Sequence, residues 1–291
     1  GCPMPFDDTL ARWAARPVPR YTSYPTAPHF QPHFPEATWR EWLGALDPQE
    51  PVSLYLHAPF CRKMCWYCGC NMKLAARYAP ITAYVETLLA EIELLAAALP
   101  GRLAVSHLHW GGGTPNTLSP DDLARVMDRL RDRFRITAGA ELALEVDPRI
   151  LTTEMAARIG ELGFTRASLG VQDFDPAVQA AINREQPVEV VAEAVTRLRE
   201  AGVGAINLDL LYGLPHQTVA TLERSIAACV AMRPARVALF GYAHVPWMAR
   251  AQRLIPEAAL PDAASRAAQA EAAAVALRAA GYEAIGLDHF A

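Results

Sequence analysis

The amino-acid sequence predicts an α/β fold in which helices cover a largely parallel β-sheet. Short apolar segments of strand length alternate with longer helical segments from residue 52 to the end of the chain. Continuous apolar character is typical of parallel strands that are buried under helices. Repeated strand–helix units of this kind form a parallel sheet, which is either open or closed towards a barrel.

Seven segments share the length and the apolar character of strands, namely Val52–His57, Ala104–Trp110, Glu141–Val146, Arg166–Val171, Ala205–Leu210, Val237–Tyr242 and Glu283–Leu287. Six segments have helical character, namely Ile81–Leu99, Pro120–Phe134, Thr153–Leu162, Val188–Ala201, Val219–Met232 and Asp262–Ala280. Ser119 can cap the second of these helices, and Gly163 and Gly202 follow two others where a helix commonly ends.

The chain is expected to divide near residue 50. Residues 1–50 contain many Pro, Tyr and Trp residues and predict an extended N-terminal arm followed by a short helix within residues 36–46. Residues 51–291 form the predicted α/β unit. The last residues carry no turn or cap signal, so we expect a C-terminal domain to be missing from this chain.

Composition and charge argue against several functional classes. The formal net charge is -4, which gives no electrostatic reason to expect binding of nucleic acid or of an anionic membrane. No apolar run reaches the ~18–20 residues of a membrane span. The N-terminus has no secretory signal pattern, so we expect a cytoplasmic protein.

Four of the six cysteines lie within ten residues, directly after the first predicted strand: Cys61, Cys65, Cys68 and Cys70. Clustered cysteines in a reducing compartment are more often metal ligands or catalytic thiols than disulfides. Structural zinc sites usually combine two separate cysteine pairs. This sequence has no second pair, which argues against zinc, although zinc remains an alternative. A Cys-x3-Cys-x2-Cys loop can hold three irons of a 4Fe–4S cluster and leave the fourth iron open for chemistry.

Polar or glycine-rich residues follow five consecutive predicted strands. The carboxyl ends of parallel strands carry the functional site in α/β folds. Here they present Tyr55 and His57, the run Gly111–Thr114, Glu145 and Asp147, Gln172 and Asp173, and Asp209. The glycines would let a ligand approach the backbone closely. Together these groups suit a small molecule that carries amino, carboxylate and ribose groups and can chelate the open iron.

Eight motifs resemble those of the oxygen-independent coproporphyrinogen III oxidases of the radical S-adenosylmethionine (SAM) superfamily. They are PRYTSYPTA, LYLHAPFCRKMCWYCGCN, HWGGGTPNTL, LEVDPR, LGVQDF, INREQ, NLDLLYGLP and IGLDHFA. The resemblance runs from about residue 19 to the last residue. It implies a partial, three-quarter TIM-like barrel, with the extended arm before it and a C-terminal region after it.

The chemistry that this resemblance implies is the conversion of coproporphyrinogen III to protoporphyrinogen IX without oxygen, in haem biosynthesis. One electron from the reduced cluster cleaves SAM to methionine and a 5′-deoxyadenosyl radical. The radical takes a hydrogen atom from a propionate side chain, and loss of carbon dioxide and one electron leaves a vinyl group. The cofactor performs the difficult step, while the protein orients it and excludes competing reactions.

The resemblance also assigns ligands. Cys61, Cys65 and Cys68 would bind the 4Fe–4S cluster, while Cys70 is the extra cysteine of the family and not a cluster ligand. A first SAM would contact Tyr55, Gly112 and Glu145. A second SAM would contact a larger set, namely Tyr67, Gly113, Thr114, Gln172, Arg184, Asp209 and Ala243. Sequence reasoning assigns no catalytic residue.

The partners follow from the same resemblance. The substrate carries four carboxylates, which Arg or Lys should meet, and Arg20 in the arm is a candidate. The electron donor would be a protein such as flavodoxin or ferredoxin, and we expect a monomer. The rival hypothesis is a haem-binding chaperone of the same superfamily. Those chaperones generally lack the PRYTSYPTA arm and a cysteine at the position of Cys70, and this sequence has both.

Overall fold

A computed structural model of the chain describes residues 24–26 and 29–291. The short helix predicted near the N-terminus is present as α1 (Glu36–Gly44). Arg20 and the larger part of the segment 19–30 lie outside the described residues, so the predicted arm and its candidate arginine stay predictions.

The described residues contain ten strands, and the six long ones correspond to the first six predicted strands. In chain order they are β1 (Val52–Ala58), β2 (Phe60–Cys61), β3 (Lys73–Leu74), β4 (Ala104–Gly112), β5 (Arg135–Val146), β6 (Arg166–Gln172), β7 (Ala205–Tyr212), β8 (Arg236–Gly241), β9 (Ala284–Gly286) and β10 (His289–Phe290). The predicted helices are confirmed within a few residues. After α1 they are α2 (Ala79–Ala98), α3 (Pro120–Arg133), α4 (Thr153–Glu161), α6 (Val188–Glu200), α7 (Val219–Ala231) and α8 (Ala263–Ala279). The short helix α5 (Pro176–Ala181) was not predicted.

The long strands lie side by side in the order in which they occur along the chain: β1, β4, β5, β6, β7 and β8. All five neighbouring pairs among them are parallel. An open, doubly wound sheet reverses its strand order at a switch point, whereas a strictly sequential order is that of an α/β barrel. Because the order begins at β1 and runs on past β8 to β10 and β9, the barrel is partial, as expected.

The seventh predicted strand differs from the prediction. Residues Ala284–Gly286 do not add another parallel strand beside β8, because β10 lies between them and pairs antiparallel with both β8 and β9. The cause is the two-residue turn of Leu287 and Asp288, both of which have positive φ (46° and 69°). Turns with two such residues match the twist of a β-hairpin and reverse the chain at once.

The helices pack on the sheet through apolar faces. In α3 the residues Leu123, Val126, Met127 and Leu130 recur at helical spacing and are all buried. Each such side chain contributes about 1.5–3 kcal/mol when it leaves water. The helix begins at a favourable cap, because the Ser119 side chain accepts a hydrogen bond from the backbone N–H of Asp122. This packing fixes the strand ends, where the candidate site lies.

The described residues contain no candidate for a membrane-spanning helix. None of the helices there is both long and apolar enough to cross a bilayer.

We expect Gly160→Ala to destabilise the fold. A Cβ at Gly160 in α4 would lie 2.0 Å from the carbonyl oxygen of Ala201, at the end of α6. Because backbone must move to relieve that contact, the free energy of unfolding should fall by about 1–3 kcal/mol in urea titrations. Gly204→Ala is the control, since nothing lies within 4 Å of its added Cβ. Equal stabilities of the two variants would contradict this packing.

Candidate active site

The cysteines lie on a loop that leaves β1 and returns at β3. The short parallel pair β2–β3 closes the loop, with Phe60 opposite Lys73 and Cys61 opposite Leu74. All five cysteines of the described residues are free thiols. Cys65 is buried, while Cys70 is exposed. The loop therefore presents several unpaired thiols at the carboxyl end of the first barrel strand.

Each cysteine of the predicted ligand set has a hydrogen-bonding group at its sulfur. Cys61 Sγ lies 3.3 Å from the Thr114 hydroxyl, and Cys68 Sγ accepts from the backbone N–H of Cys70 at 3.4 Å. Cys65 Sγ accepts from Arg184 Nη1 at 3.4 Å and from Arg149 Nη2 at 3.8 Å. Donors and positive charge at a sulfur favour the thiolate, which is the form that binds metal. All three sulfurs therefore have a polar partner from the protein, although burial raises the pKa of the Cys61 thiol despite its hydrogen bond with Thr114.

The thiols of Cys68 and Cys70 share one hydrogen bond. This hydrogen bond, assisted by the charge of Arg184, lowers the pKa of Cys68 to about 6. The same hydrogen bond raises the pKa of Cys70 well above its ordinary value. Cys68 is therefore the more acidic thiol of the pair. That Cys68 is a cluster ligand and Cys70 is not stays a prediction.

Two arginines and one aspartate form an ionic group behind Cys65. Asp147 accepts from Arg149 at Nη2 (2.6 Å) and Nε (2.9 Å), and Arg184 Nη2 lies 3.9 Å from the same carboxylate. Burial alone would raise the pKa of Asp147, but the hydrogen bond from Arg149 and the charge of Arg184 hold the pKa below its usual range. Since two positive charges face one carboxylate, a net positive charge remains for the sulfur of Cys65.

Three polar contacts fasten the cysteine loop to the barrel mouth. The Trp66 N–H donates to the Ile182 carbonyl at 2.9 Å. Asn183 Nδ2 donates to the Met64 carbonyl at 2.7 Å, and Gln252 Nε2 donates to the Tyr67 carbonyl at 2.9 Å. Trp66 and Tyr67 also pack against a small second core, which consists of Val178, Ile182, Leu214, Tyr242 and Ile255. Sequence reasoning found the loop but not these anchors.

The glycine run after β4 makes room for the cysteine loop. A Cβ at Gly112 would lie 2.9 Å from the Ala58 carbonyl oxygen, and one at Gly113 would lie 2.8 Å from the Phe60 carbonyl oxygen. The Gly113 N–H donates to the Ala58 carbonyl at 2.9 Å. The sequence suggested that these glycines admit a ligand. Their side-chain positions are taken by backbone that leads into the cysteines, so they set the position of the loop, and both glycines also line the cavity described below.

A cavity of about 740 Å³ opens at this mouth. Its size lies within the range of small-molecule sites, ~300–1,000 Å³. The predicted site residues that line it are Cys61, Cys65, Tyr67, Cys68, Gly112, Gly113, Thr114, Glu145, Gln172, Arg184, Asp209 and Ala243. Residues from the ends of β4 to β8 thus meet the cysteine loop, as the parallel fold predicts.

Two candidate residues lie away from the cavity wall. Tyr55 stands beside it, since a Cβ at Gly111 would be 2.9 Å from the Tyr55 ring and 3.0 Å from Glu145 Oε1. Asp173 is fully buried and accepts hydrogen bonds from Gln217 Nε2 at 2.7 Å and from a serine hydroxyl of α7 at 3.1 Å. Asp173 therefore joins α7 to β6 and has no access to a ligand, unlike its neighbour Gln172.

Across the described residues, no group of three or more His, Cys, Asp or Glu side chains is arranged to hold a single metal ion.

The Radical SAM superfamily matches residues 55–229 of the chain. An oxygen-independent coproporphyrinogen III oxidase of Bradyrhizobium diazoefficiens is 49% identical over 284 residues, which is 98% of this chain and 63% of the relative. The enzyme of the same name from Paracoccus denitrificans is 47% identical over 275 residues, 94% of this chain and 61% of the relative.

A solved structure gives the same result. Coproporphyrinogen III oxidase (HemN) from Escherichia coli, described as a radical SAM enzyme, superposes with a TM-score of 0.89 at 39% identity. The match covers 93% of this chain and 62% of that one. This chain thus spans less than two thirds of the length of these relatives.

The ionisation of Asp209 should make stability depend on pH. Burial, with the charge of Glu145, raises the pKa of Asp209 from 3.8 to about 7. Between these values the folded protein keeps a proton that the unfolded chain releases, so the free energy of unfolding falls as pH rises. Between about pH 5 and pH 8, the free energy of unfolding of the wild-type apoprotein should fall by on the order of 2–3 kcal/mol more than that of Asp209→Asn.

Urea unfolding of both proteins across this pH range measures the difference. Asp121→Asn is the control, because its side chain is 85% exposed and the substitution should leave the pH profile unchanged. Parallel profiles for the wild type and Asp209→Asn would contradict the raised pKa.

Proposed function

The chain belongs to the radical SAM superfamily, and from this premise we propose that it is an oxidoreductase that converts coproporphyrinogen III to protoporphyrinogen IX without oxygen, in haem biosynthesis. The observation that carries the proposal is the set Cys61, Cys65 and Cys68, each with a hydrogen-bonding group at its sulfur, on the wall of a cavity of ligand size. The identities of 40–49% to oxidases of this activity support the choice of substrate.

The residues around the cysteine loop fit a 4Fe–4S cluster. Cys61, Cys65 and Cys68 would hold it, and the positive charge of Arg149 and Arg184 at Cys65 offsets the negative charge of a cluster with thiolate ligands. When bound, the cluster supplies the electron that cleaves SAM, so that the adenosyl fragment can take a hydrogen atom from the substrate. Cys70 stays outside the ligand set.

The cavity offers complementary groups for SAM. Glu145 can accept hydrogen bonds from an ammonium group, while Tyr55 and Gly112 lie beside it; these three would bind the first SAM. The second would contact residues on the rest of the wall, namely Tyr67, Gly113, Thr114, Gln172, Arg184, Asp209 and Ala243. In this site Arg184 would provide charge for a carboxylate, and Asp209 an acceptor for a hydroxyl group.

The remaining partners belong to the same proposal. The electron donor is a small redox protein such as flavodoxin or ferredoxin, and the protein works as a monomer in the cytoplasm. Residues 1–50 form the N-terminal part and residues 51–291 the barrel. The haem-chaperone hypothesis is not favoured, because the relatives reported above are all named as oxidases.

The direct test is an anaerobic assay of the reconstituted chain with dithionite, SAM and coproporphyrinogen III. We expect 5′-deoxyadenosine together with products in which propionates have become vinyl groups. The Bradyrhizobium diazoefficiens relative, run in parallel, is the positive control. Cleavage of SAM with no decarboxylation, together with tight haem binding, would instead support the chaperone.

Removal of single cysteines should separate cluster ligands from the neighbouring thiol. Cys61→Ala, Cys65→Ala and Cys68→Ala should each lose most of the iron and acid-labile sulfide, because a ligand is missing. Cys70→Ser keeps the same loop and is the matched control, which should retain both. Iron and sulfide analysis after anaerobic reconstitution measures this. A cluster that survives in Cys68→Ala but not in Cys70→Ser would reverse the assignment.

A further inference from the structure

Arg266 lies at the carboxyl ends of β7 and β8, in a space that two glycines leave open. The residue belongs to the first turns of α8, and its Cζ lies 5.6 Å from the centre of the Tyr212 ring. A Cβ at Gly213 would be 2.1 Å from Arg266 Nη1, and one at Gly241 would be 3.3 Å from Nη2. Any side chain at Gly213 would therefore displace the guanidinium.

The guanidinium has no anionic partner in the part of the chain that the structure describes. Within residues 24–26 and 29–291, the Arg266 side chain makes no hydrogen bond and no ion pair. The carboxylates nearby are engaged elsewhere: Asp262 accepts from the Ser265 N–H at 2.8 Å, and Glu257 lies 2.9 Å from His244 Nε2. A half-buried group with five N–H donors thus lacks acceptors among the described residues.

This guanidinium lies next to the cavity that contains the cysteines. Gly241 and Tyr242 are part of the cavity wall, and Arg266 Nη2 lies 3.3 Å from the position that a Cβ on Gly241 would take. Burial raises the pKa of the Tyr242 hydroxyl, and the positive charge of Arg266 acts in the opposite direction. The charge of Arg266 therefore acts on a residue of the cavity wall. β8 lies at the far end of the parallel strands from β1, which leads into the cysteine loop.

We propose that Arg266 binds a propionate carboxylate of the porphyrinogen substrate and so orients the macrocycle towards the cysteine loop. The inference rests on the proposed function, which supplies a substrate with four carboxylates. A guanidinium pairs with a carboxylate through two parallel hydrogen bonds, and the Tyr212 ring holds its plane in place. The two glycines belong to the motifs YGLP and FGYAHVP. At Gly213 an added Cβ would meet the guanidinium, whereas at Gly241 it would first meet the Tyr212 hydroxyl at 2.8 Å.

The test is equilibrium binding of coproporphyrin III, the stable oxidised form of the macrocycle, to the reconstituted protein, followed by fluorescence. Arg266→Gln should weaken binding about tenfold, since it removes a charge-assisted hydrogen bond, and Arg266→Lys should weaken it less. Arg278→Gln is the matched control, because Arg278 lies exposed in the last turn of the same helix and the charge change is identical.

The tetramethyl ester of coproporphyrin III distinguishes carboxylate recognition from a structural role. Arg266→Gln should bind the ester as tightly as the wild-type protein does, because the ester offers no charge to pair. Unchanged affinity of Arg266→Gln for the acid would overturn the proposal, and so would an equal loss for acid and ester. Failure of the wild-type protein to bind the acid at all would overturn the substrate assigned above, and with it the role of Arg266.

Discussion

The active-site mouth depends on the buried charge of Arg184. Its side chain is only 8% exposed, and a charge so far from water is tolerated only with partners. It donates to Cys65 Sγ and, at 2.6 Å, to the carbonyl of Gly170 on β6, and it lies near Asp147, which follows β5. One guanidinium therefore joins the cysteine loop to two neighbouring strand ends. The positions of the sulfurs and of the cavity wall follow from this connection.

The repeating architecture and much of the site could be predicted from sequence, because both depend on local patterns. Apolar segments of strand length and helical segments with caps predict all six parallel strands, although β5 begins at Arg135 and not at Glu141 as predicted. The spacing of Cys61, Cys65 and Cys68 is local as well. The carboxyl ends of neighbouring parallel strands lie at the same edge of the sheet. Glu145, Gln172 and Asp209 could therefore be placed in one cavity from the sequence pattern alone.

What the sequence could not give depends on contacts between distant segments. Arg149, Asn183 and Gln252 bind the cysteine loop across 84 to 185 residues of sequence separation. Arg149 and Asn183 lie in the motifs LEVDPR and INREQ, but neither motif indicates that its residue contacts this loop. Asp173 directly follows β6 and Asp209 lies near the end of β7, so both were expected at the site, and only the packing of α7 makes Asp173 a buried structural residue. The β9–β10 hairpin was missed because Leu287 is not a residue that sequence associates with positive φ.

The central claim is that three cysteines hold a cluster with one iron left open for SAM. Electron paramagnetic resonance of the reconstituted, dithionite-reduced protein tests it most directly, with spectra recorded before and after addition of SAM. Binding of SAM to the open iron should change the g values of the cluster, and the change should persist in Cys70→Ser. A cluster signal that SAM leaves unaltered would contradict the account, since it would mean that no iron is available to the ligand.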